Sequence, residues 1–173
     1  LGPGEESVAF GAGTGRDGVV KTAEGGATCT TGAGFLALEV KAILLDPSAP
    51  KCLVVGTTQG GVHLSEDGGA TWAQKSKGLP WTPIRSFAGG SRAADKTVML
   101  YCAIPSKVVE GKYAGGVYRS ADRGETWESA MGEGLNKDTE AADRWAMSPV
   151  CQYSQVLTTD ARPATLYAVN GNT

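Results

Sequence analysis

The chain has 173 residues, 41% of them hydrophobic, which is enough to bury a core of ordinary domain size. Its formal net charge is -2, with acids and bases interspersed, so it lacks the positive field needed to grip a nucleic-acid backbone or an anionic membrane. The longest apolar runs, Ala42 to Leu45 and Cys52 to Val55, fall far short of the roughly 18 residues of a membrane span.

Ten of the twenty-five glycines occur as doublets: Gly25-Gly26, Gly60-Gly61, Gly68-Gly69, Gly89-Gly90 and Gly115-Gly116. Doublets of this kind punctuate turns, and the short runs of Val, Leu, Tyr and Thr between them read as strands. The expected class is all-β.

In chain order, Ser7 to Ala12, Gly18 to Thr22 and Thr28 to Thr31 supply three strands of an incomplete unit over 7–35. A full four-stranded unit over 40–78 follows: Val40 to Leu45, Cys52 to Thr57, Gly61 to Ser65 and Thr71 to Gln74. The next, over 84–130, comprises Ile84 to Ala88, Thr97 to Ile104, Gly116 to Ser120 and Thr126 to Ser129. Ser154 to Thr159 and Thr165 to Val169 then begin another over 154–173.

Internal repetition organises these strands. Ser65-Glu66-Asp67-Gly68-Gly69-Ala70-Thr71-Trp72 and Ser120-Ala121-Asp122-Arg123-Gly124-Glu125-Thr126-Trp127 share the pattern S-x-D-x-G-x-T-W. A degenerate third copy has Thr22, Glu24, Gly26 and Thr28, ending on Cys29 where the others have Trp. Each copy follows a glycine-led strand: Asp17-Gly18-Val19-Val20-Lys21, Gly60-Gly61-Val62-His63-Leu64 or Gly115-Gly116-Val117-Tyr118-Arg119. A short carboxylate and a hydroxyl accept backbone N–H groups inside a tight turn, glycine covers positions of positive φ, and the Trp supplies apolar area. All of these are folding roles, so Ser65, Asp67, Gly69, Thr71, Trp72, Ser120, Asp122, Gly124, Thr126 and Trp127 are expected to be structural, with Trp72 and Trp127 as buried anchors.

The boxes, the preceding GGVxxS and the Asp46 to Thr57 segment resemble the Asp-box (BNR-repeat) β-propeller superfamily. It includes sialidases, xyloglucan-active glycoside hydrolases, sortilin-type receptor propellers and photosystem assembly factors. The resemblance implies four-stranded antiparallel blades with the box between the third and fourth strands. About three blades are present, whereas closed propellers need about four to eight, so the ring is incomplete in this chain. The remaining blades, from the same or another chain, are the first expected partners.

The boxes begin 43 and then 55 residues apart. The excess falls in Ser91 to Lys96 and Pro105 to Ala114, and a further long connection runs from Met131 to Tyr153. Loops on a rigid scaffold concentrate function, and the resemblance puts the last two on the face opposite the boxes. The candidate binding face is therefore Trp81, Lys107, Glu110, Lys112, Tyr113, Lys137, Asp138, Glu140, Asp143, Arg144 and Trp145. Charges mixed with aromatics suit a protein or glycan ligand.

No catalytic residue is identified. A glycoside hydrolase needs paired carboxylates, and the resemblance implies an acid before the glycine doublet, where Thr58 and Gly15 stand. The arginines Arg85, Arg92, Arg144 and Arg162 form no sialidase-like motif. His63 occupies the strand position of Val20 and Tyr118 and reads as packing. Gly11 to Gly15 lacks the following helix of a phosphate loop. Cys29, Cys52, Cys102 and Cys151 are at least 23 positions apart, so no zinc ligand pair forms. Three disulfide pairings stay open, and Cys102 reads as a small buried hydrophobe. No cofactor is expected.

The resulting expectation is a non-catalytic binding or scaffold propeller segment. The first alternative is a fragment of a xyloglucanase- or sialidase-like hydrolase whose carboxylates lie elsewhere, and the second is a lumenal photosystem-assembly-type factor. The resemblance points to a secreted, cell-surface or organelle-lumen location. Leu1 follows no initiator Met and no leader pattern, which suggests a removed targeting segment or an internal fragment.

Overall fold

The computed structural model describes residues 8–12, 18–23, 28–31, 38–46, 49–80, 83–91, 97–110, 112–130, 153–159 and 162–170. They form four antiparallel sheets in chain order. The first contains β1 (Ala9–Ala12), β2 (Val19–Ala23) and β3 (Thr28–Thr31). The second contains β4 (Val40–Leu45), β5 (Leu53–Thr57), β6 (Val62–Ser65) and β7 (Ala73–Gln74). The third contains β8 (Ser86–Ser91), β9 (Val98–Val109), β10 (Lys112–Ser120) and β11 (Glu128–Ser129), and the last pairs β12 (Tyr153–Thr159) with β13 (Arg162–Asn170).

Every sheet is a meander, each strand pairing with the next along the chain. The leading strands pack from sheet to sheet: β4 against β1, β8 against β4, and β12 against β8 and β9. A sheet held between two others must be apolar on both faces, and β5 and β9 show the result. All five residues of β5 are buried, as are Val98 to Ile104 of β9. Such strands read as continuous apolar runs rather than alternating ones.

Alternation persists in which neighbour each residue meets. Cys52, Val54, Val62 and Leu64 of the second sheet join Ile84, Val98, Leu100, Cys102, Ile104 and Trp127 in one core. Val55 and Val40 turn the other way and meet Val19, with Phe10, Leu38, Ile43 and Trp72 packed around them. The core is thus divided into layers between sheets. Cys102 is fully buried in the larger layer and burial raises its thiol pKa, so it packs as a neutral apolar group. Cys29, Cys52 and Cys102 are free thiols, with Cys29 exposed; Cys151 lies outside the described residues.

The Pro105 to Ala114 stretch, expected as a loop, is instead a continuation of both strands. β8 pairs with β9 only from Ser91↔Val98 to Ser86↔Ala103, and β11 pairs with β10 only at Tyr118 and Arg119. Beyond them, among the described residues, β9 and β10 pair with each other as a two-stranded ribbon, through Lys107↔Ala114, Val108↔Tyr113 and Val109↔Lys112. A register shift between Ala114 and Gly116 separates ribbon from sheet, with φ of 121° at Gly115 and 95° at Gly116. Bulges of this kind bend a strand pair away from its sheet. The hairpin closes at Glu110, whose φ of 51° is the left-handed value a two-residue hairpin turn requires.

Candidate functional site

The two well-formed repeated turns use the same side-chain chemistry. In the first, the Ser65 hydroxyl donates to Asp67 Oδ1 at 2.8 Å and accepts the Gly69 N–H at 2.8 Å. Asp67 Oδ1 also accepts the N–H groups of Ala70 and Thr71, each at 2.9 Å, while Oδ2 accepts the Thr71 hydroxyl at 2.6 Å. In the second, Ser120 binds Asp122 and the Gly124 N–H, and Asp122 accepts both the hydroxyl and the N–H of Thr126. Each carboxylate is fully engaged in holding its turn.

The Thr71 hydroxyl, the Thr71 N–H and the Ser65 hydroxyl hold the Asp67 carboxyl far below the ordinary carboxylate range. At Asp122 burial pushes upward, but the Ser120 and Thr126 hydroxyls outweigh it and the net direction is down. Burial also pushes His63 down, keeping it neutral in β6.

These directions set a pH dependence. Lowered folded-state values mean that the unfolded chain binds more protons, so stability rises with pH across each window. His63 contributes a loss as pH falls below its ordinary value of about 6.5, and the two aspartates a further loss below about pH 4. Denaturant midpoints measured from pH 8 to 2 should fall in these two windows. Asp67→Asn with Asp122→Asn should lower the midpoint at pH 7 and flatten the acidic fall; a fall of unchanged steepness would contradict the assignment.

The turns differ in how their tryptophans are placed. Trp72 is half-buried and its Nε1–H returns to Gly69 O within the same turn at 3.1 Å, so the expected full burial does not hold there. Trp127 is 4% exposed and its Nε1–H reaches Lys75 O of the preceding sheet at 2.9 Å. Its backbone N–H donates to Lys77 O at 2.9 Å, and its ring lies 6.1 Å from that of Phe87. The Lys75 ammonium pairs with Glu125 of the same turn. In the third copy, Thr22 pairs with Cys29 across β2 and β3, Cys29 and Thr28 are exposed, and Glu24 and Gly26 lie outside the described residues.

Glycine was expected at the turn positions of positive φ. Gly68 has φ of 74°, but the equivalent residue of the second turn is Arg123, at 57°. Its Nε lies 3.3 Å from Oδ2 of Asp46, a carboxylate at the end of β4 that is 3% exposed. The segment after Asp46 folds tightly, with Ala49 N–H to Asp46 O, Cys52 N–H to Ala49 O and Asp46 N–H to Cys52 O. Gly68 N–H donates to Lys51 O, tying this segment to the first turn.

Between the two turns lies a groove of about 510 Å³, lined by Ala49, Pro50, Lys51, Cys52, Glu66 and Arg123. It is on the turn-bearing face, whereas the candidate binding residues were placed opposite. Of the latter, Lys107 is on β9, Lys112 and Tyr113 on β10, and Glu110 is exposed at the ribbon's tip. Trp81, Lys137, Asp138, Glu140, Asp143, Arg144 and Trp145 lie outside the described residues. The groove residues went unnoticed in the sequence although one signal was present, an arginine where the sister repeat has glycine.

No protein-family model matches the chain, and neither does any curated protein. Solved structures do. The GH74 enzyme of Niastella koreensis superposes with a TM-score of 0.50 at 22% identity, over 74% of this chain and 20% of that one. The fold is that of a β-propeller. An ancestral GH74 enzyme aligns with a TM-score of 0.49 at 17% identity, over 89% of this chain and 18% of its own. The two four-stranded sheets have the form of blades of that fold, and the chain spans about a fifth of the length of the solved chains it matches. Among the described residues, no group of three or more His, Cys, Asp or Glu side chains could hold a metal ion, and no helix is long and apolar enough to cross a membrane.

Proposed function

We propose that this chain is a run of Asp-box blades serving as a binding or scaffold module for a protein or glycan, within a larger propeller in an extracellular or lumenal location. The observation that carries this reading is the β9–β10 ribbon. The sheet needs neither strand beyond Ala103 and Val117, yet both continue to a charged tip bearing Lys107, Glu110 and Lys112. The sister hairpin of β5 and β6 closes at Thr57 and Gly61 with no such extension. Asp67 and Asp122, engaged in their turns, serve the scaffold rather than a reaction.

A second reading, a fragment of a glycoside hydrolase with its paired carboxylates outside this chain, draws support from the likeness to the GH74 enzyme of Niastella koreensis. One experiment on the full-length protein separates the two. Binding and hydrolysis of β-glucans and sialosides are measured with residues 106–113 intact and replaced by an Asn-Gly turn. Under the module reading the trimmed protein keeps its melting temperature, loses ligand binding, and no turnover is seen in either form. Turnover abolished by a single carboxylate substitution would overturn it.

A further inference from the structure

The geometry points to a second binding site, independent of the ribbon: the groove between the second and third blades takes a small ligand carrying a carboxylate and several hydroxyls, of which a hexuronic acid is the simplest form. The strongest sign is Arg123. Its φ of 57° is a left-handed conformation that side chains seldom adopt and that the sister turn assigns to Gly68. The turn's own hydrogen bonds do not call for a side chain there, because the first turn builds the equivalent set around a glycine. Backbone held in a disfavoured region by its surroundings is a mark of function.

The arginine is oriented from beneath. Asp46, almost wholly buried, meets the guanidinium through Nε, and a guanidinium carries five N–H donors, so others lie beyond that contact. The Arg123 side chain is 48% exposed and lines the groove. Lys51 supplies a second cation from the neighbouring blade, its backbone fixed by the Gly68 N–H. Two cations from different blades fit one carboxylate, and such charge-assisted hydrogen bonds are roughly twice as strong as neutral ones. Glu66 on the same groove accepts from hydroxyls while repelling a purely anionic ligand, which favours a sugar acid over a simple anion. Ala49 and Pro50 present apolar surface for the C–H face of a ring. The volume is within the range of small-molecule sites. Cys52 is a buried thiol whose pKa burial pushes up, so the groove offers binding and no thiolate chemistry.

The test titrates the full-length protein with glucuronate, acetate and glucose by calorimetry. Saturable glucuronate binding is expected, with acetate at least about tenfold weaker and glucose showing none, because each lacks one half of the recognised chemistry. Arg123→Gly installs the residue that the sister turn uses; combined with Asp46→Asn, so that no buried carboxylate loses its cation, it should leave the protein folded while weakening glucuronate by about tenfold or more. Lys51→Gln, at an exposed position, should weaken it similarly, and replacing residues 106–113 should leave it unchanged. Glucose binding as well as glucuronate, absence of saturable glucuronate binding, or binding insensitive to both substitutions would each overturn the proposal. Binding of β-glucans or sialosides that survives replacement of residues 106–113, with glucuronate behaving as expected here, would overturn only the function proposed above.

Discussion

Replacing Trp127 by alanine should lower the unfolding free energy of the full-length protein by about 3 to 5 kcal/mol, the range for removing a large buried aromatic. Against a typical total of about 5 to 15 kcal/mol, that is a large share. Three losses coincide at this position. The ring belongs to the core layer shared by the second and third blades, so its removal opens a cavity between blades. Its Nε1–H satisfies Lys75 O, which would be left without that donor. Its contact with Phe87 is lost as well. Trp127→Phe keeps most of the area and loses the hydrogen bond, so it should retain much of the stability. Trp72→Ala should cost less, because that ring is half-buried and bonds within its own turn. Denaturant midpoints of the three variants give the ordering, and an unchanged midpoint for Trp127→Ala would refute the anchoring role.

Gly78→Ala should be comparably damaging, by about 2 to 5 kcal/mol, although it adds a single methyl group. Gly78 has φ of 94°, where a Cβ is strained, and the added carbon would lie 2.1 Å from Trp127 O and 3.1 Å from its carbonyl carbon. The obstacle is backbone, so no side-chain rotation relieves it. Either the Lys75 to Leu79 segment or the second turn must shift, and Trp127 N–H to Lys77 O breaks with it. Because both substitutions act on the same seam, their effects should not add. A double variant losing clearly less than the sum of the two single losses would show the coupling, whereas strict additivity would mean that the seam is not one cooperative unit.

Much of the fold was legible because its local rules are strict. The turn at Ser65 to Trp72 is closed by its own side chains over eight residues, so its residue types repeat wherever the turn repeats. The doublets Gly60-Gly61 and Gly68-Gly69 marked strand ends, whereas Gly89-Gly90 lies within β8. The ribbon was not legible: Pro105, Ser106 and the Gly115-Gly116 doublet read locally as a loop, and only pairing with a partner of matching register made them strand. Both tryptophans read as buried anchors; Trp127 is one, but that Trp72 is only half-buried was not legible, since it depends on what the preceding blade presents to each ring.

The groove shows the same division. Asp46 and Arg123 are 77 positions apart, and neither carries a motif that names the other. The amino-acid sequence by itself determined the all-β class, the repeating unit and the side-chain logic of each turn, because these are contacts among residues a few positions apart. The tertiary structure alone decided which tryptophan is an anchor, where β9 and β10 end, and that a lysine, a glutamate and an arginine line one groove. Those outcomes depend on how one blade seats against the next, and that packing is set by surfaces rather than by any short run of residues.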